Sequence, residues 1–177
     1  YLYAYTGSLV VMTIYCIIRI GLYPLFYTIA GKWAQRRNFS FPLTMGLVIT
    51  MLSLIFVLTM NDHFAAMPNL VYVVATLAGI GEAFFWLSVC SLHQIVATDE
   101  SRPRYLGMTG IFNNIANVFA PMLSTLIIDH SSNDTEGYVA IFKLVLVVYA
   151  VMVILAFRVK TDSMQQSFSV LRCIRTK

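Results

Sequence analysis

The chain has 177 residues, of which 59% are hydrophobic and only 11% are charged, and its mean hydropathy is +0.76. A soluble domain usually carries about 25% charged residues, so the composition excludes a soluble globular fold and predicts an all-α, polytopic membrane protein. The net charge of +4 does not indicate nucleic-acid binding, because the basic residues lie in short loops and a tail and form no continuous basic face.

Five apolar runs are long enough to cross a bilayer, whose hydrocarbon core takes about 20 helical residues. Pro24 predicts a kink in the first run. The second run has no charged residue, and we therefore predict it at the periphery of the bundle. The predicted spans are Leu9–Gly31, Pro42–Met60, Leu70–Leu92, Tyr105–Ile128 and Tyr138–Phe157. Residues 1–160 are assigned to this bundle, and residues 161–177 to a basic amphipathic tail or a linker.

The distribution of basic residues predicts the orientation of the spans. Apart from Arg19 and Lys143, every Lys and Arg lies in the first loop, the third loop or the segment after the fifth span, whereas the second and fourth loops have none. Because Lys and Arg accumulate on the cytoplasmic side, we predict a multi-pass protein of the cell membrane with a cytoplasmic C-terminal tail.

Two ionisable residues, Arg19 and Glu82, lie near the middle of predicted spans, whereas Lys143 is close enough to a helix end to reach the headgroups. The orientation of the spans places Arg19 and Glu82 at similar depth. A charge at this depth is costly and is a functional hypothesis by default. Either Glu82 exchanges a proton or contacts a substrate, or the two residues form a permanent ion pair that holds two helices together.

Polar and small residues at helical spacing form a stripe on each of three spans. Lipid would penalise each stripe, so we expect all three to face a shared polar interior. The stripes are Tyr15, Arg19, Tyr23 and Tyr27; Ala75, Gly79, Glu82, Trp86 and His93; and Gly110, Asn113, Asn117, Ala120 and Ser124.

The other stripe residues each have two interpretations. Asn113 and Asn117 either bind a substrate or form hydrogen bonds between helices. The aromatic residues Tyr15, Tyr23 and Trp86 either line a cavity for an amphipathic or aromatic substrate or pack in the ordinary way.

The sequence contains no catalytic or metal-binding constellation. The histidines have no embedded nucleophile and orienting acid beside them, and the cysteines lack the spacing of a zinc site. The segment GIGEAF lacks the third glycine of a dinucleotide fingerprint, so Gly79 and Gly81 predict close helix packing instead. We therefore expect no enzyme, no cofactor and no metal.

The order of the spans, the basic first loop and two segments resemble the major facilitator superfamily. The segments are GIGEAFFWLS at residues 79–88 and ATDESRPRYLGMTGIFNNIANVFAPMLSTLIID at residues 97–129. The resemblance covers nearly the whole chain and matches the amino-terminal half of the family fold, from the end of helix 1 through helix 6. It implies half of a 12-helix protein.

Two motifs of the family are partly present. In the loop between helices 2 and 3, Gly31 and Arg36 match the family pattern and Arg37 follows them, whereas Gln35 stands in place of the usual aspartate. In helix 5, antiporters resemble Gly-x-x-x-Gly-Pro-x-x-Gly-Gly. Here the proline and the small size of its neighbours persist, in Ala116, Ala120, Pro121, Ser124 and Thr125.

The resemblance implies a secondary active transporter of small molecules, and the helix 5 pattern favours export by antiport. Proton-coupled efflux is the expected form, although Ala75 stands where proton-coupled members often have an arginine early in helix 4. The substrate would bind near the midplane between this half and a second six-helix half. The expected partners are the lipid bilayer, that second half, a small-molecule substrate and H⁺. The alternative is a non-transporting scaffold or sensor on the same fold, which predicts direct contact between Arg19 and Glu82 with no cavity between the stripes.

Overall fold

The computed structural model describes residues 7–36, 40–60, 63–64, 66–67, 69–96, 100–131 and 133–158, and these ranges contain helices and no strand. The helices are α1 (Leu9–Gly21), α2 (Tyr23–Arg36), α3 (Ser40–Thr59), α4 (Leu70–Val96), α5 (Arg102–Asp129) and α6 (Asp134–Arg158). Arg37 and the predicted tail at residues 161–177 lie outside the described residues.

Within the described ranges, five helical segments are long and apolar enough to cross a membrane: Leu9–Ala34, Ser40–Thr59, Leu70–His93, Arg102–Asp129 and Glu136–Arg158. They coincide with the five predicted spans to within a few residues, and the prediction of an all-α bundle of five spans is confirmed. The agreement follows from the bilayer itself, because its thickness requires long uninterrupted apolar helices that are visible in a sequence.

The first span is broken into α1 and α2 at Leu22. Pro24 follows two residues later, and a proline has no N–H for the carbonyl group four residues earlier, while its ring crowds the preceding turn. The kink predicted from Pro24 is therefore confirmed. At its other end α1 is capped by Ser8, whose hydroxyl oxygen accepts a hydrogen bond from the N–H of Val11 at 3.5 Å.

Helix α4 is the centre of the described bundle, since it packs against α1, α2 and α3, and α3 in turn packs against α6. Two buried apolar clusters lie at opposite ends of these helices. The Phe64 cluster consists of Val57, Phe64, Val71 and Val74. The Leu43 cluster consists of Leu43, Leu47 and Ala156.

The prediction that Pro42–Met60 is peripheral is wrong for this part of the chain. Helix α3 is buried along one face and packs on both α4 and α6. Its small residues allow this: a Cβ at Gly46 would lie 2.6 Å from the Phe85 nitrogen. Its hydroxyl groups also join neighbouring helices, since Ser40 donates to the carbonyl oxygen of Ala156 at 3.0 Å and Ser53 to that of Val74 at 3.5 Å.

Helix α5 is much less covered than the others, because it packs chiefly against α6 and its residues 111–120 are all exposed. The contact with α6 is close at one end, where a Cβ on Gly137 would lie 2.9 Å from the Ile128 Cα. The uncovered surface suits lipid chains or other membrane helices, because it is rich in large apolar side chains. These include Ile111, Phe112, Ile115, Val118, Phe119 and Met122.

Candidate functional site

Arg19 at the end of α1 and Glu82 in the middle of α4 form a bidentate ion pair. Arg19 Nε donates to Glu82 Oε2 at 2.9 Å, and Arg19 Nη2 donates to Oε1. The guanidinium fork matches the two carboxylate oxygens, which makes this one of the stronger kinds of side-chain contact. This contact places the two residues at the same level of the helix bundle.

A third group, the hydroxyl of Tyr23, donates a hydrogen bond to Glu82 Oε2. Arg19 and Tyr23 are four residues apart, yet they lie on opposite sides of the break at Leu22. Glu82 therefore binds the last turn of α1 and the first residue of α2 at once. The carboxylate thus ties both parts of the broken span to α4.

The close approach of α1 and α4 depends on a glycine one helical turn before Glu82. A Cβ at Gly79 would lie 2.5 Å from the carbonyl oxygen of Arg19, so only hydrogen fits between the two backbones. On the other side of α4, a Cβ at Gly81 would lie 2.8 Å from the Thr50 nitrogen of α3. The prediction that Gly79 and Gly81 permit close packing is confirmed, and each glycine serves a different neighbour.

A cavity of about 430 Å³ lies beside the ion pair, between α1, α3, α4 and α6. We call it the central cavity. Its lining is apolar towards the Phe64 cluster, where Met12, Val57, Val74 and Phe142 surround it. Its opposite end is polar and is lined by Arg19, Thr50, Glu82 and Tyr149. The scaffold alternative predicts the contact of Arg19 with Glu82 and no cavity between the three polar stripes. The central cavity is lined by residues of two of these stripes, on α1 and α4, together with residues of α3 and α6.

The predicted aromatic residues lie in different places. Tyr15 lines the central cavity, and Tyr23 contacts Glu82. Tyr23 also packs against Tyr27, with ring centroids 5.8 Å apart. Trp86 is instead 46% exposed, and its ring meets that of Phe85 edge-on at 5.5 Å. Tyr15 and Tyr23 are thus near the ion pair, whereas Trp86 faces away from the described bundle.

The third predicted stripe is not brought to the other two. Asn113 and Asn117 lie on the exposed surface of α5, as do the packing residues Ala120 and Pro121. Pro121 lies inside the helix, and it has no N–H to donate to the carbonyl group of Asn117, four residues earlier. The α5 surface at this level therefore presents backbone and side-chain polar groups together.

The predicted loop motif lies at the end of α2. Gly31 is buried within that helix, and Arg36 is its last residue. Nearby, Trp33 packs edge-on against Phe84 of α4, with ring centroids 5.4 Å apart, and in a tilted arrangement against Phe41 of α3, at 5.6 Å. These aromatic contacts hold the end of the first span on the two central helices.

The sequence analysis missed the contributions of α3 and α6 to the site. Thr50 and Ser53 line the central cavity, as do Phe142 and Tyr149. A signal was available in α3, where Gly46, Thr50 and Ser53 recur on one helix face, a spacing of small residues that favours close helix contact. In α6 the signal was weaker, because one tyrosine within an aliphatic run is common in membrane helices.

The described residues offer no alternative centre based on a metal, since no group of three or more His, Cys, Asp or Glu side chains among them could hold an ion. The structure thus defines a polytopic membrane protein with an embedded ion pair and an adjoining cavity. Residues 3–169 match the family model of the Major Facilitator Superfamily. The chain belongs to this superfamily, whose members are transporters.

Two bacterial proteins are similar to the chain. The uncharacterized protein YqgE of Bacillus subtilis (strain 168) is 28% identical over 160 residues, which cover 90% of the chain and 36% of YqgE. An uncharacterized protein in the sodM 3′ region of Geobacillus stearothermophilus is 26% identical over 142 residues, which cover 80% of the chain and 64% of that protein. The chain therefore spans about a third of the length of YqgE and just under two thirds of the length of the Geobacillus stearothermophilus protein. No solved structure matches it significantly.

Proposed function

We propose that the chain is part of a secondary active transporter that moves small molecules across the cell membrane, with Glu82 as the group that couples transport to proton movement. The observation that carries this proposal is the position of the ion pair. Glu82 binds Arg19 and Tyr23 at the polar end of the central cavity, where a solute and a proton could both reach it.

The contacts of Glu82 suggest how proton exchange would change the conformation. As a carboxylate, Glu82 accepts hydrogen bonds from both sides of the break at Leu22. A protonated carboxyl group loses the charge that attracts Arg19 and has one oxygen fewer to offer as an acceptor. Protonation would therefore loosen the contact between α1 and α4 and free the hinge between α1 and α2.

The uncovered surface of α5 supports a second six-helix half as the partner of this chain. Asn113 and Asn117 are exposed there beside the backbone irregularity at Pro121. Polar groups facing lipid are unfavourable, whereas at an interface between two halves they would lie along the substrate pathway. Export by antiport is the direction that the helix 5 pattern favours.

Substrate-driven proton movement is the direct test of this function. The full-length protein is reconstituted in liposomes loaded with the pH-sensitive dye pyranine, and a panel of small organic anions, cations and neutral solutes is added in turn. At least one solute should change the internal pH in wild-type vesicles and not in Glu82→Gln vesicles. Glu136→Gln is the matched control, because Glu136 is exposed at the start of α6.

A non-transporting scaffold or sensor is the second candidate, and the direct contact of Arg19 with Glu82 favours it. It predicts that no solute on the panel changes the internal pH, although the reconstituted protein is correctly folded. Transport of a solute that is equally coupled to protons in wild-type and Glu82→Gln vesicles would refute the coupling role of Glu82 and leave transport intact.

A further inference from the structure

The lining of the central cavity is amphipathic, and all four helices have their apolar residues at the same end and their polar residues at the other. At one end, each of α1, α3, α4 and α6 contributes an apolar side chain, and about two turns away each contributes a polar one. The pairs are Met12 and Arg19, Val57 and Thr50, Val74 and Glu82, and Phe142 and Tyr149. A volume of about 430 Å³ is within the range of small-molecule sites. The cavity therefore suits a ligand with an apolar body and one polar head.

The hydrogen bonds at the polar end determine which head group fits. Both oxygens of Glu82 are already acceptors, for Arg19 and Tyr23. The ion pair uses two of the five N–H groups of Arg19, and the hydroxyl group of Tyr15 is a further hydrogen-bond partner of this side chain. Arg19 is also the more accessible partner, with 39% of its side chain exposed against 18% for Glu82. The accessible charge at this end of the cavity is thus the guanidinium group.

The hydroxyl group of Thr50 does not change which head group fits at this end of the cavity. It donates its hydrogen to the carbonyl oxygen of Gly46 within its own helix, at 2.9 Å. A cationic head would meet the positive charge of Arg19 and a carboxylate that already accepts three hydrogen bonds. An anionic head would meet the N–H groups of Arg19 that the ion pair does not use, beside the hydroxyl-bearing rings of Tyr15 and Tyr149.

We propose that the central cavity binds a small amphipathic organic anion, with its carboxylate or similar head on Arg19 and its apolar body among Met12, Val57, Val74 and Phe142. This inference rests on the proposed function only in taking the anion to be the transported solute. The ligand and Glu82 compete for the same guanidinium group. Neutralising Glu82 releases Arg19, so a proton on Glu82 and an anion on Arg19 bind together with no change in net charge. An anion bound in this way would cross with the proton by symport, which departs from the antiport that the helix 5 pattern favours.

The test uses three probes with one apolar body and different heads: phenylpropionate, phenylpropanol and phenylpropylamine. Their binding to the full-length protein in nanodiscs of uncharged lipid is measured by titration calorimetry at neutral pH. We expect phenylpropionate to bind about tenfold or more tightly than either of the others, because a charge-assisted contact with arginine is worth more than a neutral one.

Two variants have opposite expected effects, which distinguishes a binding role from a structural one. Arg19→Gln should abolish the preference for phenylpropionate. Glu82→Gln should tighten phenylpropionate binding about tenfold, because Arg19 loses its competing partner. The matched controls are Arg104→Gln and Glu136→Gln, both at exposed positions, and neither should change the binding of any probe.

A third variant keeps the test valid where Glu82→Gln does not fold. Val145→Trp should fill the cavity, which Val145 lines, and should block phenylpropionate while the ion pair stays intact.

The proposal is overturned where the amine binds most tightly, where Glu82→Gln and Arg19→Gln weaken binding equally, or where no probe binds because another segment of the polypeptide fills the cavity. Coupled flux of a cation in liposomes would refute the anion site and uphold transport. Anion binding without flux of any solute would uphold the anion site and refute transport.

Discussion

Gly79 of α4 lies directly against the backbone of Arg19, so that a methyl group at Gly79 would be 2.5 Å from the Arg19 carbonyl oxygen and 3.1 Å from its Cα. This contact is made by backbone on both sides, and no side chain can rotate out of the way. The Arg19 side chain reaches Glu82, one turn further along α4, because the helices approach this closely. The packing contact and the ion pair are therefore one structural unit.

Gly79→Ala should separate α1 from α4 and destabilise the protein by about 1–3 kcal/mol, the usual cost of forcing an extra carbon into a packed contact. The control is Gly107→Ala in α5, where a Cβ would meet no atom within 4 Å. Alanine is a better helix former than glycine, so the control should gain up to about 1 kcal/mol. Thermal unfolding in nanodiscs measures both, and equal effects of the two variants would contradict the packing role of Gly79.

Gly81→Ala should disturb a second interface, that between α3 and α4. The added carbon would lie 2.8 Å from the Thr50 nitrogen and 3.0 Å from the Gly46 carbonyl oxygen. Because this is the most extensive helix contact in the described bundle, we expect a loss of about 1–3 kcal/mol. Thermal unfolding in nanodiscs measures this loss, and a variant as stable as the wild type would contradict the packing role of Gly81.

The sequence was a good guide wherever the bilayer imposes a rule on single residues. Span lengths followed from apolar run length, and the rarity of charges within spans singled out Arg19 and Glu82, although their pairing was one of two alternatives. The sequence was a poor guide to neighbours. Periodicity identifies a face of a helix and does not say what that face meets, which is why Asn113 and Asn117 were expected beside Glu82 and lie on an exposed helix.

The position of α3 is a second case in which the sequence pattern did not indicate the neighbouring helices. A run without charges was interpreted as peripheral, although Gly46 and Thr50 make it the closest neighbour of α4. In water, burial is driven by apolar side chains, but within a membrane lipid is equally apolar and close packing depends on small residues. Small size is a weaker signal than charge, and its consequence depends on which helix lies opposite.

Tyr23→Phe should remove the hydroxyl group that donates to Glu82 Oε2 and leave the ring contact with Tyr27 in place. A hydrogen bond to a charged group contributes about 1.5–3 kcal/mol, so we expect a stability loss towards the lower end of this range for a partly buried pair. Tyr72→Phe, also partly buried on α4, is the control and should lose much less. Thermal unfolding with no difference between the two variants would show that the Tyr23 contact is not stabilising.

The ion pair itself can be measured with a double-mutant cycle. Arg19→Gln and Glu82→Gln each leave one charge without its partner, which costs about 3–5 kcal/mol for a fully buried pair. Because Arg19 is 39% exposed, we expect about 1–3 kcal/mol for each single variant. The double variant should be more stable than the sum of the two losses predicts, with a coupling energy of about 0.5–3 kcal/mol. Additive losses would mean that the contact contributes nothing to stability.

The proposed orientation can be tested with two exposed positions on opposite ends of the bundle, Glu100 before α5 and Asn133 before α6. Arg102 and Arg104 follow Glu100, whereas the loop around Asn133 has no basic residue, so Glu100 should be cytoplasmic and Asn133 external. In a background without native cysteines, Asn133→Cys should react with a membrane-impermeant maleimide in intact cells. Glu100→Cys should react only after the cells are permeabilised, and both should react in detergent. The reverse pattern would invert the proposed orientation, and with it the side from which a proton and a solute reach Glu82.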